Sequence, residues 1–319
     1  MTISPRLSSR LGITRLIRFS LRVLRHLMYW LVNWERKIGI GSVPEPEQET
    51  RVVLSTQHDM VAYADEPYYL AQYWYWIEKA LDSVSLPNSS VCLDLGCGQG
   101  RLTMPLARKY NSGAVVGIDL SAQAIASAKK YAAELGITNV DYREGNIHQV
   151  VNAWPSTSVD VVLMTEVTLF YPRWREDLPE LERILKPGGV LAIAFRPQYY
   201  DMLNIIKHRM WEQVDLLLNQ RSGPLYSDRM EFTWQKSGEI CRLFAEGVEM
   251  ELMHLVGIGC CSGIEYDPHG SIVRPSQLDK DERERLMQLE LSVGAEIPDA
   301  GRYMLAIARK KHGSVSLQI

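Results

Sequence analysis

Between Val91 and Phe195, short apolar runs and helical segments take turns with little else between them. "VCLDLGC" reads as a strand and "GRLTMPLARKY" as a helix. "AVVGIDLS" is a second strand, followed by "AQAIASAKKYAAELG" as a helix, and "VDYREGN" is a third. "VDVVLMTE" makes a fourth strand, "DLPELERIL" a helix and "GGVLAIAF" a fifth strand. Parallel strands need a crossover between them, usually a helix, so this alternation points to a mostly parallel sheet covered on both faces. After Phe195 the pattern changes. Residues 198–220 read as one long helical insert, and "FTWQKSGEICRLFAEG" offers another helix. "MELMHLVGIG" is a sixth strand, and the charged helix "DKDERERLMQLELSV" precedes a last strand at "GRYMLAIARKK". The expectation is an α/β fold with a seven-stranded, mostly parallel sheet and an antiparallel last strand.

The first turn of that sheet reads Gly96-Cys97-Gly98-Gln99-Gly100-Arg101. A dinucleotide fingerprint wants glycine or alanine where Arg101 stands, and the Gly-Lys-Ser/Thr of a P-loop is absent. Asp94, just before the turn, suits a ligand with positive charge such as an ammonium or sulfonium. It gains nothing from a pyrophosphate, which prefers the backbone amides of a helix start. Asp119 ends the second strand, at the edge where open α/β sheets bind ligands, and can accept from both hydroxyls of a ribose. Leu120 is placed to pack an adenine face, with Asn146 and Ile147 at the base edge after strand three.

"LDLGCGQG", "GIDLS", "REGNI" and "LKPGGVLAIAF", in this order and spacing, resemble the class I S-adenosylmethionine-dependent methyltransferases. The chain is most similar to their small-molecule branch, which includes quinone-biosynthesis-type methyltransferases; the likeness covers roughly residues 88–310. The resemblance implies a Rossmann-like sheet with a helical cap, and S-adenosylmethionine as cofactor. It implies that Asp94, Gly96 and Gly98 contact the methionyl part, with Cys97 and Gly100 also at the cofactor, that Asp119 takes the ribose and Leu120 the adenine. Asn146 and Ile147 then meet the base, Asn146 standing where the family most often has an aspartate. Thr165, after strand four, falls where the family's backbone meets the methionyl group.

The donor's sulfonium is already activated, so the chemistry asks mainly for positioning and, where needed, removal of a proton. Glu166, His148 and His208 are the candidate bases, with His254 behind them. Cap elements are expected over 61–85 and 198–230, and Tyr68, Tyr69, Tyr73, Tyr199 and Tyr200 are the candidate acceptor contacts. Each is weighed against plain packing of a helix on the sheet. The chain lacks Asn/Asp-Pro-Pro-Tyr/Phe after strand four and any Pro-Cys or Thr-Cys pair, and its net charge is −3, so nucleic acid is not the expected acceptor. The five cysteines have no zinc spacing and no metal site is expected.

Residues 1–34 carry Arg6, Arg10, Arg15, Arg18, Arg22 and Arg25 and no acidic residue. At about 100° per residue, four of these arginines share one arc and leucines, Phe19 and Trp30 fill the other side. Its apolar runs stop well short of the ~20 residues of a spanning helix. Three roles fit: a helix lying on anionic lipid through residues 10–34, a cleaved organellar presequence, or a helix docked on a partner. The expected division is a basic amphipathic helix over 1–38, a linker over 39–60, a methyltransferase domain over 61–312 and a tail over 313–319. The expected activity is methyl transfer, to carbon or oxygen, on a small lipophilic acceptor near a membrane. Cytoplasmic placement is expected, peripheral on the membrane, or mitochondrial in a eukaryote. The rivals are a non-catalytic donor-binding scaffold and an NAD-dependent oxidoreductase.

Overall fold

The computed structural model describes residues 64–226, 230–265 and 267–312. The basic helix expected over 1–38, the linker over 39–60 and the tail over 313–319 lie outside the described residues.

Helix α1 (Glu66–Ser83) opens with a proline in its first turn, where a missing amide hydrogen costs nothing. The alternating core follows: β1 (Val91–Leu95), α2 (Thr103–Lys109), β2 (Ala114–Asp119), α3 (Ala122–Glu134), β3 (Val140–Glu144), α4 (Ile147–Ala153), β4 (Val159–Met164), α5 (Trp174–Ile184) and β5 (Leu185–Phe195). Then come α6 (Gln198–His208), α7 (Val214–Asn219), β6 (Ser222–Gly223), β7 (Phe232–Thr233), α8 (Ser237–Glu246), β8 (Met250–Ile258), α9 (Lys280–Glu296) and β9 (Tyr303–Lys310).

The main sheet has seven strands in the order β3-β2-β1-β4-β5-β9-β8. Strands β1 to β5 pair in parallel, and β9 runs antiparallel to both β5 and β8. The order reverses at β1, which opens a crevice at the carboxyl ends of β1, β2 and β4. The central strands are buried on both faces, so they read as unbroken apolar runs. One face packs Tyr73, Trp76, Ile77 and Leu81 of α1 and Leu106 of α2 on the sheet. The other packs Val151 of α4, Trp174, Leu178 and Leu181 of α5, and Ile240 and Phe244 of α8.

The insert after β5 departs from the single helix expected over 198–220. Helix α6 stops at Arg209, which takes a left-handed conformation with φ 57°. A turn at Trp211–Gln213 and α7 then fold the chain back, burying Ile205, Leu217, Leu225, Phe232 and Trp234 together. A straight helix of that length would run about 35 Å out from the sheet with its apolar stripe uncovered. The Trp234 indole donates to the carbonyls of Leu217 and Gln220 at 3.1 and 3.0 Å, closing the end of α7. Phe232 and Thr233, expected at the start of a helix, form the short β7 instead; α8 begins only at Ser237.

Candidate active site

The glycine turn is pinned to the end of β2. The amides of Gly96 and Cys97 both donate to the Ile118 carbonyl, at 2.7 and 2.9 Å. The Gly98 amide donates to Asp119 Oδ2 and the Ser121 amide to Asp119 Oδ1, each at 2.8 Å. Asp119 therefore shapes the turn while leaving lone pairs for a ligand's hydroxyls. Gly96, Gly98 and Gly100 have φ of 74°, 52° and 81°, the left-handed region open mainly to glycine. A Cβ at Gly96 would stand 2.2 Å from a Val167 methyl, and one at Gly100 2.2 Å from the Tyr142 hydroxyl. At Gly98 it would meet nothing within 4 Å. Packing thus accounts for the first and third glycines, and the second presents bare backbone to open space.

Asp94 lies beneath this turn, 2% exposed, with Oδ2 accepting from the Thr103 hydroxyl at 2.5 Å. Burial pushes its pKa up to about 7; the Thr103 hydrogen bond opposes this and the Asp119 charge adds to it. Burial raises Asp119 as well, against its two backbone hydrogen bonds. Two carboxylates held uphill of their ordinary ionisation, beside open backbone, fit a cation-bearing nucleoside.

At the base end, Leu120 is half-buried and Ile147 joins the core. Asn146 caps α4, its Oδ1 accepting from the Gln149 amide at 3.1 Å. The oxygen assigned to the adenine amino group is thus shared with a helix cap. Cys97 turns its side chain into a small cluster with Ile125, Ala128 and Tyr142. Thr165 is half-buried after β4, and Glu166 next to it is left-handed, with φ 59°. A non-glycine residue held there carries backbone strain of the kind that gathers at functional sites.

Arg101 entered the sequence reading only as a missing glycine. In the structure it forms an ion pair with Glu66 of α1 and lies 3.5 Å from Glu166. One guanidinium fastens the cap helix to both the glycine turn and the loop after β4.

The expected aromatic cap resolves into separate places. Tyr73 is 3% exposed; burial, then the nearby Glu166 carboxylate, raises its pKa. Tyr69 lies under Arg302, 4.7 Å from ring centre to guanidinium carbon, with its hydroxyl 3.1 Å from Ser262 Oγ. Tyr68 instead lines a separate cleft of about 380 Å³ with Pro275, Lys280 and Met287. Tyr200 is buried beside Arg196, whereas Tyr199, its neighbour on α6, points outward at 46% exposure.

The histidines stay apart from this group. His148 Nδ1 is 2.6 Å from Asp177 Oδ1, and Tyr171 donates to the other oxygen of Asp177, so this histidine ties α4 to α5. His208 is exposed at the end of α6. His254 packs on Trp76 from β8, with burial and then Lys79 lowering its pKa. His269, absent from the sequence expectations, meets Tyr200 edge-on at 5.5 Å while its Nδ1 lies 3.0 Å from the Gly259 carbonyl. Sequence reasoning also missed Arg196, Arg302 and Tyr303. Their one signal was an arginine directly abutting each of two buried strands, in "AFRP" and "GRYM".

A family model described as a methyltransferase domain matches residues 87–221. A trans-aconitate 2-methyltransferase of Azoarcus sp. (strain BH72) is 36% identical over 122 residues, 38% of this chain and 44% of that protein. A 2-methyl-6-phytyl-1,4-hydroquinone methyltransferase of Synechocystis sp. (strain ATCC 27184 / PCC 6803 / Kazusa) is 32% identical over 145 residues, 45% of this chain and 43% of that protein. The matched stretch spans less than half the length of either relative. Among solved structures, magnesium protoporphyrin IX methyltransferase from Synechocystis PCC 6803 with bound SAH superposes with a TM-score of 0.52. It is 15% identical, covering 84% of this chain and all of that one, a likeness of fold alone.

Proposed function

We propose that the chain, whose residues 87–221 match a methyltransferase domain, is a class I, S-adenosylmethionine-dependent enzyme that transfers a methyl group to a small acceptor. The observation that carries the reading is the pair Asp94 and Asp119 flanking a turn whose Gly98 backbone faces open space. Bound there, S-adenosylmethionine supplies an electrophilic methyl group. Asp94 faces its cationic end, Asp119 takes the ribose, and Leu120 with Asn146 borders the base. Arg101 holds α1 closed over the turn through Glu66 and Glu166, which excludes water from the reacting atoms. The acceptor lies over the carboxyl ends of β4 and β5, against Tyr73, Tyr200 and Tyr303. Where methylation releases a proton, from oxygen or carbon, Glu166 is the carboxylate at hand.

Calorimetric titration of the full chain with S-adenosylmethionine, S-adenosylhomocysteine and NADH tests the reading. Both sulfur ligands should bind and NADH should not. Asp119→Ala should weaken the sulfur ligands on the order of 100-fold or more, the worth of charge-assisted hydrogen bonds to two hydroxyls. NADH binding would favour the oxidoreductase. Binding of the sulfur ligands with no product from any acceptor would favour the donor-binding scaffold. No binding of any of them, in folded protein, would sink the reading.

The acceptor is proposed to be lipophilic and met at a membrane surface, with the protein cytoplasmic and peripheral, or mitochondrial in a eukaryote. Two features support this: the aromatic lining of Tyr73, Tyr200 and Tyr303, and the basic amphipathic pattern of residues 10–34. The phytyl hydroquinone named for one relative is an acceptor of that kind. Among the described residues no helix is long and apolar enough to cross a membrane. Deleting residues 1–38 is expected to cut the fraction sedimenting with anionic vesicles to below about a tenth, since each surface arginine contributes about 1 kcal/mol. Homocysteine-ligand binding should be unchanged. Equal sedimentation of both forms would remove the membrane from the proposal.

A further inference from the structure

Arg196 is a permanent charge in a buried place: burial works against it, while the neighbouring Tyr303, Tyr200 and Asp201 support the cation without an ion pair to it. It directly follows β5 at the carboxyl end of the sheet and is 7% exposed. Among the described residues no carboxylate stands within ion-pair distance of it. The rings of Tyr200 and Tyr303 both lie against it, 4.3 and 4.1 Å from the guanidinium carbon. Around the rim, Nη1 donates to the Arg302 carbonyl at 2.8 Å. Among the described residues the buried Nε has no hydrogen-bond partner, and Nη2, on the same edge, makes no hydrogen bond.

Two of the charges around it are ion-paired elsewhere, and a third, Asp201, supports the cation without pairing with it. Arg302 has its own counter-ion, Asp267 Oδ2 at 2.8 Å, and stacks on Tyr69. Glu166 belongs to Arg101. Asp201, on α6, is fully buried; its Oδ1 accepts from the Tyr226 hydroxyl at 2.6 Å and its Oδ2 has no partner. Burial pushes Asp201 up to about 6, with the Arg196 charge and the Tyr226 hydrogen bond pulling the other way. Contact with two rings offsets part of the cost of burying Arg196, but leaves its Nε and Nη2 donors unused among the described residues.

An Nε–Nη2 edge held in a fixed plane is the fork that pairs with both oxygens of a carboxylate. Strand β5 pairs directly with β4, so this edge is one strand away from Glu166 and the loop that borders the donor. We propose that the acceptor carries a carboxylate, and that Arg196 holds it through Nε and Nη2 with Tyr200 and Tyr303 fixing the guanidinium plane. Arg196 is then a specificity-determining residue, selecting an acid over its neutral analogues and setting the acceptor's orientation. With the aromatic lining this describes a lipophilic carboxylic acid. The inference rests on the methyl-transfer reading, whose acceptor site it specifies.

The test uses the full chain saturated with S-adenosylhomocysteine, titrated with trans-cinnamate and octanoate against cinnamamide and octanamide. At least one acid should bind about tenfold or more tighter than its amide. Arg196→Gln should lose that preference while homocysteine-ligand affinity stays within about twofold, and Arg196→Lys should recover only part of it, as a point charge without the fork. Equal binding of acid and amide, absence of acid binding, or a preference that survives in Arg196→Gln overturns the proposal. So does phenyl phosphate binding tighter than either acid, which would assign the edge to a phosphate. The comparison of acid with amide needs no variant, so misfolding of Arg196→Gln leaves it decisive. Failure of S-adenosylhomocysteine itself to bind sinks the methyl-transfer reading and this inference with it. Failure of the acids alone sinks only the latter.

Discussion

Replacing Gly96 by alanine is expected to abolish detectable donor binding and to cost about 2–4 kcal/mol of stability. Two costs add at this position. The residue sits at φ 74°, where a Cβ crowds its own backbone. The new methyl would also stand 2.2 Å from a Val167 methyl, and valine is β-branched, with little freedom to rotate away. Relief requires either the turn or the loop after β4 to shift. The turn is fixed by amides of Gly96 and Cys97 on the Ile118 carbonyl, so displacement breaks the arrangement that presents Gly98 and Asp119 together. The matched control is Gly98→Ala, with φ 52° and open space before its Cβ. Its stability loss should stay near the roughly 1–2 kcal/mol of left-handed strain, while its methyl intrudes on the ligand. Urea unfolding beside homocysteine-ligand calorimetry separates the two variants. A Gly96→Ala protein as stable as the parent, with intact binding, would show that the turn is far softer than drawn here.

The sequence made the donor side of the molecule legible because its determinants are local. Asp94 and the three glycines lie within seven residues of one another, and Asp119 ends the next strand. The order of β1 to β5 follows from crossover rules acting on alternating segments. The acceptor side is different in kind. Tyr73, Arg196, Tyr200, Arg302 and Tyr303 meet only because β9 inserts between β5 and β8, a pairing that no periodicity announces. Arg101 shows the same limit at close range: its position spoke against a dinucleotide fingerprint, but its partners Glu66 and Glu166 are on other elements. The break at Arg209 was invisible for another reason. Nothing in its local sequence demands a left-handed residue; the gain comes from Leu217 and Trp234 closing on Ile205. Of the tyrosines proposed from α1, all three are buried, yet only neighbours from distant strands decide which faces the site. Helical spacing gives the face of a helix that packs, and not what it packs against.

Donor affinity is expected to rise steeply with pH between 5 and 7, through Asp94. Its pKa stands at about 7 in the ligand-free fold, against an ordinary aspartate near 3.9. A cationic ligand binds the ionised form, so about 1% of the protein is competent in this respect at pH 5 and about half at pH 7. The apparent affinity for S-adenosylmethionine should therefore increase on the order of 50-fold across that window. Near pH 6, binding should release close to one proton, measurable by calorimetry in buffers of different ionisation enthalpy. Stability of the ligand-free protein runs the opposite way. With the folded pKa raised, the fold retains a proton that the unfolded chain has already lost, so Asp94 removes stability progressively as pH climbs from about 4 through 7. The largest effect consistent with a shift of that size is about 4 kcal/mol. Added donor should recover most of it at pH 7 and little at pH 5. Asp94→Asn, neutral at every pH, should bind the donor weakly with no pH dependence in this window, while its Thr103 contact survives. A wild-type affinity that is flat from pH 5 to 7 would mean that Asp94 is ionised before the ligand arrives. Its burial beneath the turn would then be compensated by something other than the donor's charge.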